Sequence, residues 1–272
     1  MTHRDFSGHR LIAALLASAA DSTLIFTLIF TLSFTLTVSV AAQDQGRGRR
    51  GGAPAGEAAP APNPRDFQGV WQGGLHTDSK PKLRPVAQKI FDENTEELRR
   101  KVPVTKDPVY WCTPAGVPHV YNNGIHPFEI LQTPTRTFLF YEADRTWRTV
   151  WTDGRSMPDD VSDLWMGYSV GRWEGNELVV ETAGFNDKTW ILQGEGTVHS
   201  TNLHITERFR RVDRDHLQIE FTLTDPEYYE GPWTLTGDFR LQPKWELDES
   251  FCVPEEQQIF DQTVLGPNAR PR

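Results

Sequence analysis

Between residues 128 and 241 apolar and polar side chains alternate with a period of two, in short runs broken by turn-forming residues. That period marks half-buried β-strands. Eight runs follow in succession: FEILQT, TFLFYEA, TWRTVWTDG, GYSVGRWE, ELVVETAGF, LHITERFRRV, HLQIEFTLTD and WTLTGDFRLQ. A ninth, DFQGVWQGG, starts at Asp66. Gly175-Asn176 is a two-residue hairpin signal, and Asp213-Arg214-Asp215 makes another turn. One segment has a different period. In residues 85–101, Val86, Ile90, Asn94 and Leu98 recur every four positions, which predicts a helix. Residues 102–127 carry five prolines and two glycines and read as an irregular crossing connection. The fold class is therefore mainly β, an antiparallel meander closed or nearly closed into a barrel, with one N-terminal helix. Closure removes the exposed edges that such a sheet otherwise presents.

The start of the chain follows other rules. Arg4 and Arg10 precede apolar runs at 11–20 and 24–40, and Val40-Ala41-Ala42 suits a cleavage site. Residues 1–42 read as a secretory signal, with a retained anchor as the rival. Residues 43–64 are Gly, Ala, Pro and charge, a linker with little to bury. The barrel domain spans 65–256 and a tail spans 257–272. The expected location is periplasmic or extracellular, with no membrane contact after cleavage. Two cysteines in an exported chain suggest a disulfide between Cys112 and Cys252, which flank most of the strands. Neither has a second thiol or a histidine at metal-ligand spacing, and no cofactor is implied. A formal charge of −9 leaves no electrostatic footprint for nucleic acid.

Strand parity raises the question of chemistry. In LHITERFRR, Glu207 shares a face with Leu203, Ile205 and Phe209. Asp225 extends the face of Leu217, Ile219, Phe221 and Leu223, and Asp153 extends that of Trp147 and Trp151. A buried carboxylate needs a partner, a wet cavity or a proton. Asp153 and Asp225 also sit in turn contexts, where an aspartate caps backbone amides. Glu207 lies mid-strand, and an inward arginine is its structural alternative. The long loop 184–201 adds Asn186, Trp190 and His199, and His199 could serve an inward carboxylate as acid or base. The chain holds nine tryptophans; Trp147, Trp151, Trp165, Trp190 and Trp233 are candidate walls of a pocket for a small apolar or sugar-like molecule. Gly167-Tyr168-Ser169-Val170-Gly171 fits G-x-S-x-G, but no strand-to-helix turn surrounds it. His199 and His204 point opposite ways on a strand, and H-E-x-x-H is absent.

The segments TDGRSMPDD, WMGYSVGRWEGNELVVETAGFNDKTW, HSTNLHITERFRR and DPEYYEGPW resemble a family of exported bacterial proteins, over roughly residues 110–252. That resemblance brings no chemistry with it. Gly69-Val70-Trp71 is similar to the G-x-W of lipocalin-like barrels. There the Trp closes one barrel end against an arginine of a late strand; Arg240 lies in that region but its parity reads outward. The resemblance implies a lipocalin-like barrel and, since fold alone gives no function, three readings follow. The first is an exported barrel binding a small molecule in an aromatic, carboxylate-containing interior. The second is an acid/base enzyme, a hydrolase or isomerase, using Glu207, Asp153 and His199. The third is a structural envelope protein with a plugged core.

Overall fold

The computed structural model describes residues 63–98, 107–122 and 125–253. The expected signal, most of the linker and the tail lie outside these residues. Nine strands form one closed barrel in chain order: β1 Gly69–His76, β2 Phe128–Gln132, β3 Arg136–Tyr141, β4 Trp147–Trp151, β5 Tyr168–Glu174, β6 Glu177–Ala183, β7 His204–Arg211, β8 His216–Thr224 and β9 Trp233–Leu241. β1 pairs antiparallel with both β2 and β9, which closes the ring. A ring of nine alternating strands cannot close on itself, so one neighbouring pair must run parallel. That pair is β4 and β5, joined through Val150↔Ser169 and Trp151↔Val170. The connection 152–167 runs back past β4 so that β5 starts in the same direction. The meander is thus antiparallel except at this seam.

The helix, α1, spans Pro85–Leu98. Its packed face carries Ala87 and Asn94, and Asn94 donates to the Gly196 carbonyl at 3.1 Å. Val86, expected on the buried stripe, is half exposed. The buried positions are seven apart, Ala87 and Asn94, so Asn94 sits where the i, i+4 series put it while Val86 falls off the packed face.

One barrel end is sealed by the G-x-W strand. Trp71 is fully buried, donates its indole N–H to the Phe67 carbonyl at 2.8 Å, and lies under the Arg211 guanidinium at 4.9 Å. Arg211 in turn donates to the backbone carbonyls of Asp66, Asp213 and Arg214. So the closing arginine comes from β7, while Arg240 faces outward as its parity indicates. Phe67 completes the seal against Trp173 and Phe209, with ring centroids 5.5 and 6.2 Å away.

Cys112 and Cys252 form a disulfide, with Cα atoms 5.2 Å apart. The chain after β9 reaches the β3–β4 turn, where Asp248 N donates to Glu142 at 3.0 Å and Arg145 lies over Phe251. The bridge fastens this segment to the crossing connection. Among the described residues no helix is long and apolar enough to cross a membrane.

Candidate functional site

Glu207 points into the barrel, as β7 parity predicts, and is fully buried. It meets Arg148 of β4. Arg148 Nη1 donates to Glu207 Oε1 at 2.9 Å, and Nη2 donates to Oε2. Two further donors are used: Nε reaches Ser169 Oγ at 2.8 Å and Nη2 reaches Thr182 Oγ1 at 2.6 Å. Ser169 and Thr182 lie 3.1 Å apart, which closes the network. A two-pronged guanidinium–carboxylate pair with satisfied side donors is the arrangement that makes a buried ion pair tolerable. Burial works against the Arg148 charge, but Glu207 outweighs it and raises the Arg148 pKa further above its usual range.

This cluster explains two features of the sequence. Ser169 of the G-x-S-x-G stretch is no nucleophile on an elbow; it is a buried mid-barrel acceptor for Arg148. Gly167 has φ +66°, and a Cβ there would lie 2.6 Å from Thr182 and 2.8 Å from Phe185. The glycine lets β5 start tightly against β6.

Two tyrosines complete the interior. Tyr121 comes from a 3-10 turn at His119–Tyr121 in the crossing connection and inserts into the barrel. Its ring stands edge-on to Phe128 and Tyr141, both at 5.2 Å, and tilts against Phe221 and Phe239 at 5.3 and 5.8 Å. The Tyr121 and Tyr141 hydroxyls approach each other and the Arg148–Glu207 pair, yet among the described residues neither reaches full hydrogen-bond geometry with a partner. Burial pushes both phenols well above their ordinary range, and Glu207 adds to the shift. Both therefore stay protonated donors. Leaving such donors unmet costs about 1–3 kcal/mol each.

The other sequence candidates fall elsewhere. β4 has the opposite parity to that expected: Arg148 and Val150 face in, and Trp147 is 63% exposed. Trp151 is outside too, with Arg155 and Arg136 over its ring at 3.6 and 4.5 Å. The two indoles of WRTVW suggested the buried face, but Leu139↔Arg148 pairing and the bond to Glu207 turn the arginine inward. Asp153 is consequently exposed. It accepts from Arg155, whose hydrogen bonds hold its carboxyl below the usual range. Trp165 is half-buried with Lys188 over its ring at 5.7 Å.

Asp225 is buried in a turn, accepting from the N–H groups of Ser200, Glu227 and Tyr228 and from the Ser200 hydroxyl. That is the backbone-capping role. Asn186 is buried and bonds Lys188 N through Oδ1, while its Nδ2 is unmet. Trp190 is buried and bridges Val198 within the long loop. Trp233 is buried and donates to the Ser79 carbonyl at 2.8 Å. His199 is buried; its Nδ1 meets the Ser200 carbonyl at 3.0 Å and its Nε2 meets the Thr189 hydroxyl at 2.8 Å. Since a carbonyl only accepts, Nδ1 carries the proton and Nε2 accepts from Thr189. These bonds engage both ring nitrogens of His199, and none reaches Glu207.

The histidines give a pH signature. Burial pushes His119 and His199 below the ordinary imidazole range, against the pull of Asp107 on the first and of the Ser200 carbonyl on the second. A folded pKa below the unfolded value of about 6.5 means that protons favour the unfolded chain. The stability these groups provide is complete above about pH 6.5 and falls as pH drops toward the folded values, by up to about 1.4 kcal/mol per pH unit for each. Thermal unfolding midpoints should therefore fall from pH 7 to 5.5, and His199→Asn should flatten that slope. An unchanged slope in both His199→Asn and His119→Asn would assign the loss to other groups.

Among the described residues no group of three His, Cys, Asp or Glu side chains could hold a metal ion. Arg148, Tyr121, Tyr141 and Arg211 were not legible as site or closure residues. Only the isolated mid-strand acid signalled that something inside must answer it.

No family model and no curated protein matches the chain. Among solved structures it is similar to a mutant of the fluorescent protein UnaG, at 14% identity over 65% of this chain and 97% of that one, with a TM-score of 0.31. It is also similar to a secretary abundant heat soluble (SAHS) protein from Ramazzottius varieornatus, at 11% identity over 65% of this chain and 95% of that one, with a TM-score of 0.29.

Proposed function

We propose that the protein is an exported barrel that binds a small, largely apolar molecule in its interior. The observation that carries this reading is a polar cluster of Arg148, Glu207, Ser169 and Thr182 set inside an aromatic barrel, with two tyrosine hydroxyls left unmet beside it. Apolar residues of similar volume often replace a buried ion pair with no loss of stability. Stability alone therefore gives little reason for polar groups at this depth. Ligand sites, by contrast, combine apolar walls with a few placed polar groups. A sugar would need many more free donors and acceptors than two hydroxyls supply. The disulfide supports an oxidising compartment, in keeping with the secretory pattern of residues 1–42. Acid/base catalysis has less behind it, because Arg148 engages both Glu207 oxygens and the His199 bonds lie elsewhere.

Thermal unfolding in the presence of a panel of uncharged mono- and bicyclic compounds tests this reading. A compound at 100 times its Kd stabilises by about 2.7 kcal/mol, a midpoint rise of roughly 5–10 °C in a domain of this size. A panel without a single shift would instead support a barrel plugged by Tyr121.

A further inference from the structure

The unmet hydroxyls say more about the ligand. Tyr121 and Tyr141 are each 2% exposed and belong to different parts of the fold, the crossing connection and β3. Their rings meet edge to face at 5.2 Å, and the two hydroxyls lie near each other and near Arg148. A carbonyl oxygen has two lone pairs and accepts two such bonds. We propose that Tyr121 and Tyr141 form a two-donor clasp for the carbonyl oxygen of a neutral apolar ligand, a ketone, aldehyde or ester rather than a carboxylate. The preference for a neutral group follows from the neighbours. Arg148 gives its charge to Glu207 through both prongs, so an incoming anion finds no free cation and meets a buried carboxylate close by. The high phenol pKa values agree, since both groups remain O–H donors across the neutral range.

The inference rests on the binding reading above, and matched probes separate the two. Isothermal titration of the intact protein with 1-tetralone, tetralin and tetralin-1-carboxylate compares one apolar body carrying a carbonyl, nothing, or an anion. The clasp requires 1-tetralone to bind about tenfold more tightly than tetralin, as two added hydrogen bonds supply, and the carboxylate to bind more weakly than either. Tyr121→Phe with Tyr141→Phe should bring 1-tetralone down to the affinity of tetralin, while the ligand-free unfolding midpoint stays level or rises. Equal binding of 1-tetralone and tetralin would overturn the clasp and leave the binding reading standing. Failure of all three to bind would overturn the clasp, and the broader panel then decides the binding reading. A lower ligand-free midpoint in the double variant would show that the hydroxyls serve the fold, through a bound water, and would also overturn the clasp.

Discussion

Arg148→Ala should lower the free energy of unfolding by about 3–5 kcal/mol, because it leaves Glu207 buried without its partner. That is a large part of the roughly 5–15 kcal/mol available to a typical domain. The cost comes from orphaning a charge, not from losing an attraction. Arg148→Met combined with Glu207→Leu should therefore recover most of the loss, since the pair is then replaced by apolar volume. Arg155→Ala provides the contrast. Arg155 makes a comparable pair with Asp153, but at the surface, where such pairs contribute at most about 1 kcal/mol. Urea unfolding of the four proteins distinguishes these cases. If Arg148→Ala stays within about 1 kcal/mol of the parent, Glu207 is not the committed buried charge described here.

Removing the disulfide, by Cys112→Ser with Cys252→Ser, should be the second large loss. The bridge closes a loop of 140 residues, which contains β2 to β9. Loop-closure entropy for that length gives about 5 kcal/mol, and native disulfides typically contribute roughly 2–5. Both cysteines lie outside the strands, so the barrel's ladders survive the change and the effect falls mainly on the unfolded chain. The expected result is a lower urea midpoint with an increased m-value, as the unlinked chain exposes more surface. An unchanged midpoint would show that the fastened segment opens without consequence.

The parts of this structure that sequence could reveal are those that repeat. Alternation located all nine strands, and an odd count already implies one parallel seam, although no residue marks where it falls. Cysteine number and placement gave the bridge. Glu207 was visible as an acid on the face of Ile205 and Phe209, because a mid-strand position has no turn to excuse it. Its partner was hidden by tryptophan: in WRTVW the large indoles mimic a buried face, while the inward residues are an arginine and a valine. Tyr121 carries no period at all, since it arrives from an irregular connection and its depth is fixed only by tertiary packing. Asp153 and Asp225 follow their strands: Asp153 lies outside because the face of Trp147 and Trp151 does, and Asp225 lies inside but serves the turn its sequence context suggested.

Both the binding reading and the clasp require a small molecule to enter the barrel, and the clasp places it at the tyrosine pair. Intermolecular NOEs between 1-tetralone and the intact protein examine that contact directly. The binding geometry calls for cross-peaks from the ligand to the Tyr121 and Tyr141 rings, together with Phe128 and Phe221. Cross-peaks only to outer-face residues such as Trp147, or none at saturating ligand, would contradict it.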